Sequence, residues 1–271
     1  MSDQRVTADN ANGDEDRNRT AAAGGNGPMS LGYEMTAPGL AGATRTPATH
    51  FKPVRPSPLL NDIPLALVES LRYLISKFQL GDHNEFPSRL AVTSALHGEG
   101  VTTISRTLAA ILASDLDLNV CWVDLSWRPT KGATQGTTPV GIADVLAGNT
   151  SLEKALLPTA DPRLTLLHGG AVPPHQRETF SRSSSLGDLI SQLAARFSII
   201  VLDTAPVLTG SAGLSQLRYA DQYLLVVRHG VTSAQQIRLA TDHIQAIPCL
   251  GVVLNRFHSS IPRLLTHFFV S

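Results

Sequence analysis

From residue 64 to residue 254 the chain alternates short apolar runs with longer stretches in which apolar residues recur every three or four positions. The first such stretch, from Pro64, sets Leu65, Leu67, Val68, Leu71, Leu74 and Ile75 largely on one helical face, with Glu69 and Arg72 interspersed. A Gly-Asp-His-Asn-Glu-Phe-Pro turn at 81–87 precedes the first strong strand, at 90–94. The pattern then predicts helix 102–114, strand 119–124, a Gly/Thr-rich loop over 131–140 and short helices near 141–147 and 151–157. Strand 163–168, helix 184–196, strand 198–203, helix 211–219, strand 222–228, helix 232–246 and strand 250–254 complete it. Strands that are continuous apolar runs, separated by helices, imply buried parallel strands joined by crossovers. The expected fold is α/β: a doubly wound, mostly parallel sheet with helices on both faces. Ligands of such sheets bind at the carboxyl ends of the strands, where Gly98 to Thr102, Asp124, Asp203 and Asn255 fall.

Outside this pattern, residues 1–57 are rich in Ala, Gly, Asn, Thr and Pro and show no periodicity. They bury too little apolar surface to offset ordering their backbone, so they read as a disordered N-terminal tail, either a tether or a solvated extension. The α/β domain is expected over 58–258, with a short C-terminal tail at 259–271. The net charge is zero, which supplies no global field for nucleic acid or anionic membrane. The Arg/Ser stretch 177–185 reads as a solvated loop rather than a nucleic-acid patch. Cys121 and Cys249 sit in apolar runs and read as buried structural thiols. The acidic N-terminus has no apolar signal region, and no apolar run reaches the roughly 18 residues of a bilayer span. The expected location is cytoplasmic.

The candidate chemistry centres on Ala91-Val92-Thr93-Ser94-Ala95-Leu96-His97-Gly98-Glu99-Gly100-Val101-Thr102-Thr103. A β-branched run enters a Gly-rich turn, and a helix starts at a Thr pair, as in a phosphate-binding loop. The pattern G-x-x-x-x-G-K-[ST] aligns with Ala95, Gly100, Val101 and Thr102, so its first Gly is Ala and its Lys is Val. Glycines and the helix start supply N–H donors and a positive dipole end for phosphate. The lysine supplies a full charge at the β/γ-phosphates. The cradle is therefore expected and the charge is missing.

Together the motifs resemble those of the bacterial tyrosine kinases of capsular and exopolysaccharide biosynthesis, P-loop proteins of the septum-site and partition ATPase superfamily. Against the family's S-x-x-P-G-E-G-K-[ST]-T loop, Ser94, Gly98, Glu99, Gly100, Thr102 and Thr103 match, while His97 replaces Pro and Val101 replaces Lys. Against D-x-D-x-R-x-P, Asp124 and Arg128 match and Ser126 replaces the second Asp; against D-T-P-P-V stands Asp203-Thr204-Ala205-Pro206-Val207. Gly141 to Gly148 and His168 to Pro174 are similar to two further family segments. Glu69-Ser-Leu-Arg72 resembles an E-x-x-R helix used for subunit contacts, and Gly251 to Asn255 a terminal strand whose Asn faces adenine. The resemblance covers about residues 65–256. The stretch after Asn255 contains no Tyr, so the family's C-terminal tyrosine cluster, and its autophosphorylation, are not expected.

The resemblance implies a P-loop NTPase-like site for ATP or ADP with Mg²⁺. Gly98, Glu99, Gly100, Val101, Thr102, Thr103, Arg128 and Asn255 would bind the nucleotide. Thr102, Asp124 and Asp203 would hold the metal, and Asp203 and Asp124 would be the catalytic acids. Bland readings stand beside these: Thr102 as a helix cap, Asp203 as a turn cap, His97 as a solvated loop residue. Of the cations that could replace the lysine, Arg106 is expected to point along the helix away from the loop, leaving Arg128 as the better candidate. Trp122 reads as core, and Trp127 as core, rim or a partner surface. Three functions compete: a degenerate, nucleotide-binding or pseudoenzyme regulatory subunit working with a membrane polysaccharide co-polymerase, and self-associating through the Glu69–Arg72 helix; an active ATPase or protein kinase with an atypical P-loop; and a partition-type switch that dimerises on ATP.

Overall fold

The computed structural model describes residues 57–80, 86–127 and 139–257. The tail expected over 1–57 lies outside them except for Ser57, as do Arg128 and residues 259–271. Among the described residues seven strands form one sheet: β1 (Arg89–Ser94), β2 (Val120–Asp124), β3 (Leu156–Pro158), β4 (Leu164–Leu167), β5 (Ile199–Asp203), β6 (Gln222–Arg228) and β7 (Cys249–Asn255). Their spatial order is β3-β4-β2-β5-β1-β6-β7. Every neighbouring pair is parallel except β3 with β4.

Strand periodicity divides the side chains between two apolar layers. Leu90, Val92, Val120, Trp122, Ile199, Val201, Leu224 and Val226 face one side. There they meet Val68, Leu71 and Ile75 of α1 (Leu65–Gln79) and the buried length of α2 (Val101–Asp115). Helix α2 buries Ile104, Ser105 and everything from Thr107 to Ser114, because it lies between the sheet and α1. Ala91, Cys121, Val123, Ile200, Leu202, Leu225 and Val227 face the other side. The helices there are α3 (Ile142–Leu146), α4 (Leu152–Ala155), α5 (Arg177–Arg182), α6 (Ser184–Ala194), α7 (Ser211–Leu217) and α8 (Ala234–His243). This is the doubly wound, mostly parallel α/β fold that the alternation predicts.

Three local expectations are corrected. The helix expected over 151–157 stops at Ala155, and Leu156–Pro158 becomes the antiparallel edge strand β3. The cause is Pro158, which disfavours helical geometry at Leu157 and itself has no N–H to donate. The solvated loop expected over 177–185 contains α5 and the start of α6. Ser183 accepts a hydrogen bond from Leu186 N (3.2 Å) to cap α6, and Ser181 is fully buried. Cys121 is buried, and burial pushes its thiol up to about 12. Cys249 is exposed, because β7 is an edge strand with one neighbour.

Arg72 is engaged inside the chain. Its Nε donates to Asp115 Oδ2 at the end of α2 (2.7 Å) and its Nη1 to Glu69 Oε1 (3.0 Å), and the bond to Asp115 is the main reason its pKa is raised.

Candidate functional site

The turn between β1 and α2 is shaped by two residues in left-handed backbone geometry, Gly98 (φ 81°) and Gly100 (φ 102°). Only glycine adopts this region freely. Glu99 lies between them and folds inward, 1% exposed. Its carboxylate accepts from Leu96 N (2.9 Å), Arg228 N (3.3 Å) and the Thr232 hydroxyl. Asn255 Nδ2 donates to Glu99 O (2.7 Å). A Cβ added at Gly100 would lie 2.2 Å from that same Nδ2. The loop is thus clamped by the ends of β6 and β7. Ile104 N–H donates to Gly100 O (3.0 Å), which leaves the earlier N–H groups of α2 without intrahelical acceptors and open to an anion.

Period-2 alternation also decides what faces this helix start. Ser94, Asp124, His168 and Asp203 each follow the α2-facing residue of their strand by two positions. Asp124 and Asp203 are register partners at the carboxyl ends of β2 and β5. Asp203 is fully buried and Asp124 is 8% exposed. Asp124 Oδ1 accepts from Ser126 N (2.9 Å) and Ser126 Oγ (2.7 Å), so the residue standing at the family's second acid closes a turn on the first. Thr204 donates its hydroxyl to Val92 O (3.1 Å), joining β5 to β1 below the loop.

These elements enclose a cleft of about 390 Å³, lined by Gly98, Glu99, Gly100, Val101, Thr102, Thr103, Asp124 and Asp203 among others. All eight are expected from the sequence. Asn255 is the exception: its side chain holds the loop backbone and does not line the cleft. Val101, at the lysine position, is half-buried against the α1/α2 layer. Arg128 is outside the described residues.

Arg106 is a correction, since it lines the cleft. Helical side chains tilt back toward the N-terminus, so a residue one turn after Thr102 covers the first turn rather than leaving it. Its guanidinium carbon lies 4.4 Å from the ring centroid of Trp122, a cation–π contact. Trp122 is fixed in turn by Nε1 donation to Ser105 Oγ (2.9 Å) and an edge-on contact with His168 (5.9 Å). Burial lowers the His168 pKa, the Arg106 charge lowers it further, and Asp124 opposes both. Arg256, just after β7, also lines the cleft. Neither His168 nor Arg256 is among the site residues expected from the sequence. Trp127 is buried and donates to Ser181 Oγ (3.1 Å).

Among the described residues no three His, Cys, Asp or Glu side chains converge as metal ligands. Two carboxylates beside a Thr at a helix start instead fit Mg²⁺, which usually takes one or two protein carboxylates and completes its shell with phosphate and water.

A mostly parallel sheet of this order, with a Gly-rich turn leading into a buried helix and acids on two adjacent strand ends, defines a P-loop-type α/β protein. No protein-family model matches the chain. Individual relatives do. It is 28% identical over 200 residues to the tyrosine-protein kinase wzc of Salmonella typhimurium, across 72% of this chain and 27% of that protein. It is 25% identical over 191 residues to the tyrosine-protein kinase YwqD of Bacillus subtilis, across 69% of this chain and 80% of that protein. The chain therefore spans about a quarter of the length of wzc but most of YwqD. Of solved structures, the VpsO kinase domain matches with a TM-score of 0.61 and 26% identity, over 72% of this chain and 97% of that domain. The septum site-determining protein MinD of Pyrococcus horikoshii, complexed with Mg-ADP, shares the fold with a TM-score of 0.52 and 21% identity, over 66% of this chain and 76% of that one. The chain is related to the bacterial tyrosine-protein kinases, as its motifs imply.

Proposed function

We propose that this chain is a nucleotide-binding, catalytically weakened relative of those kinases, serving as a regulatory subunit in exopolysaccharide or capsule polymerisation and export. The observation that carries the reading is Val101. The loop around it is fully built, yet the residue at the lysine position is apolar and packs toward the core. Phosphates of ATP or ADP would lie against the N–H groups of Gly98 to Thr103, and Thr102, Asp124 and Asp203 are the residues that would hold Mg²⁺. When bound, that ion neutralises phosphate charge. The chain's own residues supply donors and acids, without the lysine that stabilises charge developing in transfer.

The partner in this reading is a membrane polysaccharide co-polymerase, met at the inner face of the membrane. Among the described residues no helix is long and apolar enough to cross a membrane. Self-association would use the Glu69–Arg72 helix α1, whose Leu65 and Tyr73 are largely exposed. Two measurements test the proposal. Calorimetry with ADP and ATP, with and without Mg²⁺, should detect micromolar binding. ATP turnover by the wild type should not exceed that of Asp203→Ala. Clear turnover abolished by that substitution would replace this reading with an active enzyme.

A further inference from the structure

The cleft lacks the lysine of its loop but is not without a cation. Arg106 sits on the cleft wall formed by α2 and β2, the wall that also carries Asp124. Its side chain is steadied there by stacking on Trp122, whose ring is 1% exposed and held by Ser105 and His168. A guanidinium on an aromatic face keeps its in-plane donors available, and its planar fork binds phosphate oxygens in pairs. The helix places Arg106 on the side of its own first turn, so the charge and the N–H cradle address the same anion. Arg256 enters from β7, across the loop from the acids. Arg106 shares the cleft lining with Asp124, which in the nucleotide-binding reading would stand beside the metal and the terminal phosphates.

We propose that Arg106, seated on Trp122, supplies the phosphate-binding cation that Val101 does not, giving the cleft selectivity for a nucleoside triphosphate over a diphosphate. The inference rests on the nucleotide-binding reading above. It also gives a role to Trp122, since removing the aromatic seat leaves the guanidinium unplaced.

The test is calorimetry of the full chain with Mg-ATP and Mg-ADP. Arg106→Met and Arg106→Gln should each weaken ATP binding about ten- to a hundredfold, the range for losing one charged hydrogen-bonding group, and should change ADP binding much less. Adding Val101→Lys to Arg106→Met should restore ATP affinity, while Arg256→Met should leave the ATP preference intact. Arg106 is exposed, so both of its variants should melt with the wild type. If the wild type binds ATP and the Arg106 variants bind it equally well, or if the loss follows Arg256, the proposal falls and the nucleotide reading stands. A wild type that binds no ATP at millimolar concentration removes both.

Discussion

Gly100→Ala probes the loop most directly, because two separable terms act at one atom. The first is backbone strain: φ is 102° at this position, and an L-residue in left-handed geometry loses about 1–2 kcal/mol. The second is contact. The new Cβ would lie 2.2 Å from Asn255 Nδ2, so Asn255 must swing away and give up its 2.7 Å hydrogen bond to Glu99 O. Leaving a buried acceptor unmet adds about 1–3 kcal/mol. Gly100→Ala should therefore destabilise the folded chain by about 2–5 kcal/mol, read as a lower urea midpoint at unchanged slope. Asn255→Ala alone should remove only the hydrogen-bond contribution. In that background Gly100→Ala should then lose only the strain of about 1–2 kcal/mol, since the clash is gone. The double-mutant cycle isolates the contact between the two residues. Equal effects of Gly100→Ala in both backgrounds would refute the packing of Asn255 on the loop, and a neutral Gly100→Ala would refute its left-handed turn.

Other expectations are simpler to read. Glu99→Gln should destabilise by about 1–3 kcal/mol in urea melts, because the amide presents a donor where Leu96 N, Arg228 N and Thr232 already donate. His168 has a pKa held below its ordinary 6.5, so below that value the unfolded chain takes up a proton that the folded one refuses. Its contribution to stability is complete above the ordinary value and is lost as pH falls below it; His168→Phe should flatten the fall of the urea midpoint below that pH relative to wild type. Thiol labelling of the native chain should modify Cys249 and spare Cys121 until denaturant is added; rapid native labelling of Cys121 would contradict its buried place on β2.

What the sequence discloses follows from which physical effect sets each feature. Parallel strands buried on both faces are largely apolar, so β1, β2, β5 and β6 stand out as short runs, and Asp124 and Asp203 are marked as the acids that end β2 and β5. Edge strands escape that rule. β7 has a similar apolar run yet leaves Cys249, Val252 and Leu254 exposed, because burial there depends on a missing neighbour and not on local composition. β3 is decided by one proline, and α5 by tertiary bonds to Ser181 from Trp127 and Gln216, which no window of sequence contains. In the site, Gly98 to Thr103 are legible from spacing. Arg106 is not, because its direction comes from the tilt of helical side chains and its seat is a tryptophan 16 positions away on another element.

Several positions that match the kinase motifs have a structural role around the turn. Glu99 spends its carboxylate on Leu96, Arg228 and Thr232; Asn255 spends its amide on Glu99 O; Gly100 is held by φ and by the approach of Asn255; Thr204 ties β5 to β1. Each of these matching residues builds or braces the turn, whereas the matching Thr102, Asp124 and Asp203 line the cleft. Val101 and Ser126, which both line the cleft, depart where the motif has a charged side chain, and His97 and Ala205 depart where it has Pro. A matching motif in this chain is therefore strong support for the shape of a phosphate loop and weak support for phosphoryl transfer, since shape survives the loss of those charges. Arg106 lies outside the motif altogether, yet it lines the same cleft. A loop that keeps its donors needs only one well-placed cation from any wall of the cleft to bind a polyphosphate, whereas transfer needs that cation at the atom where charge develops. Binding and catalysis are thus expected to separate in this protein, with binding the more robust of the two.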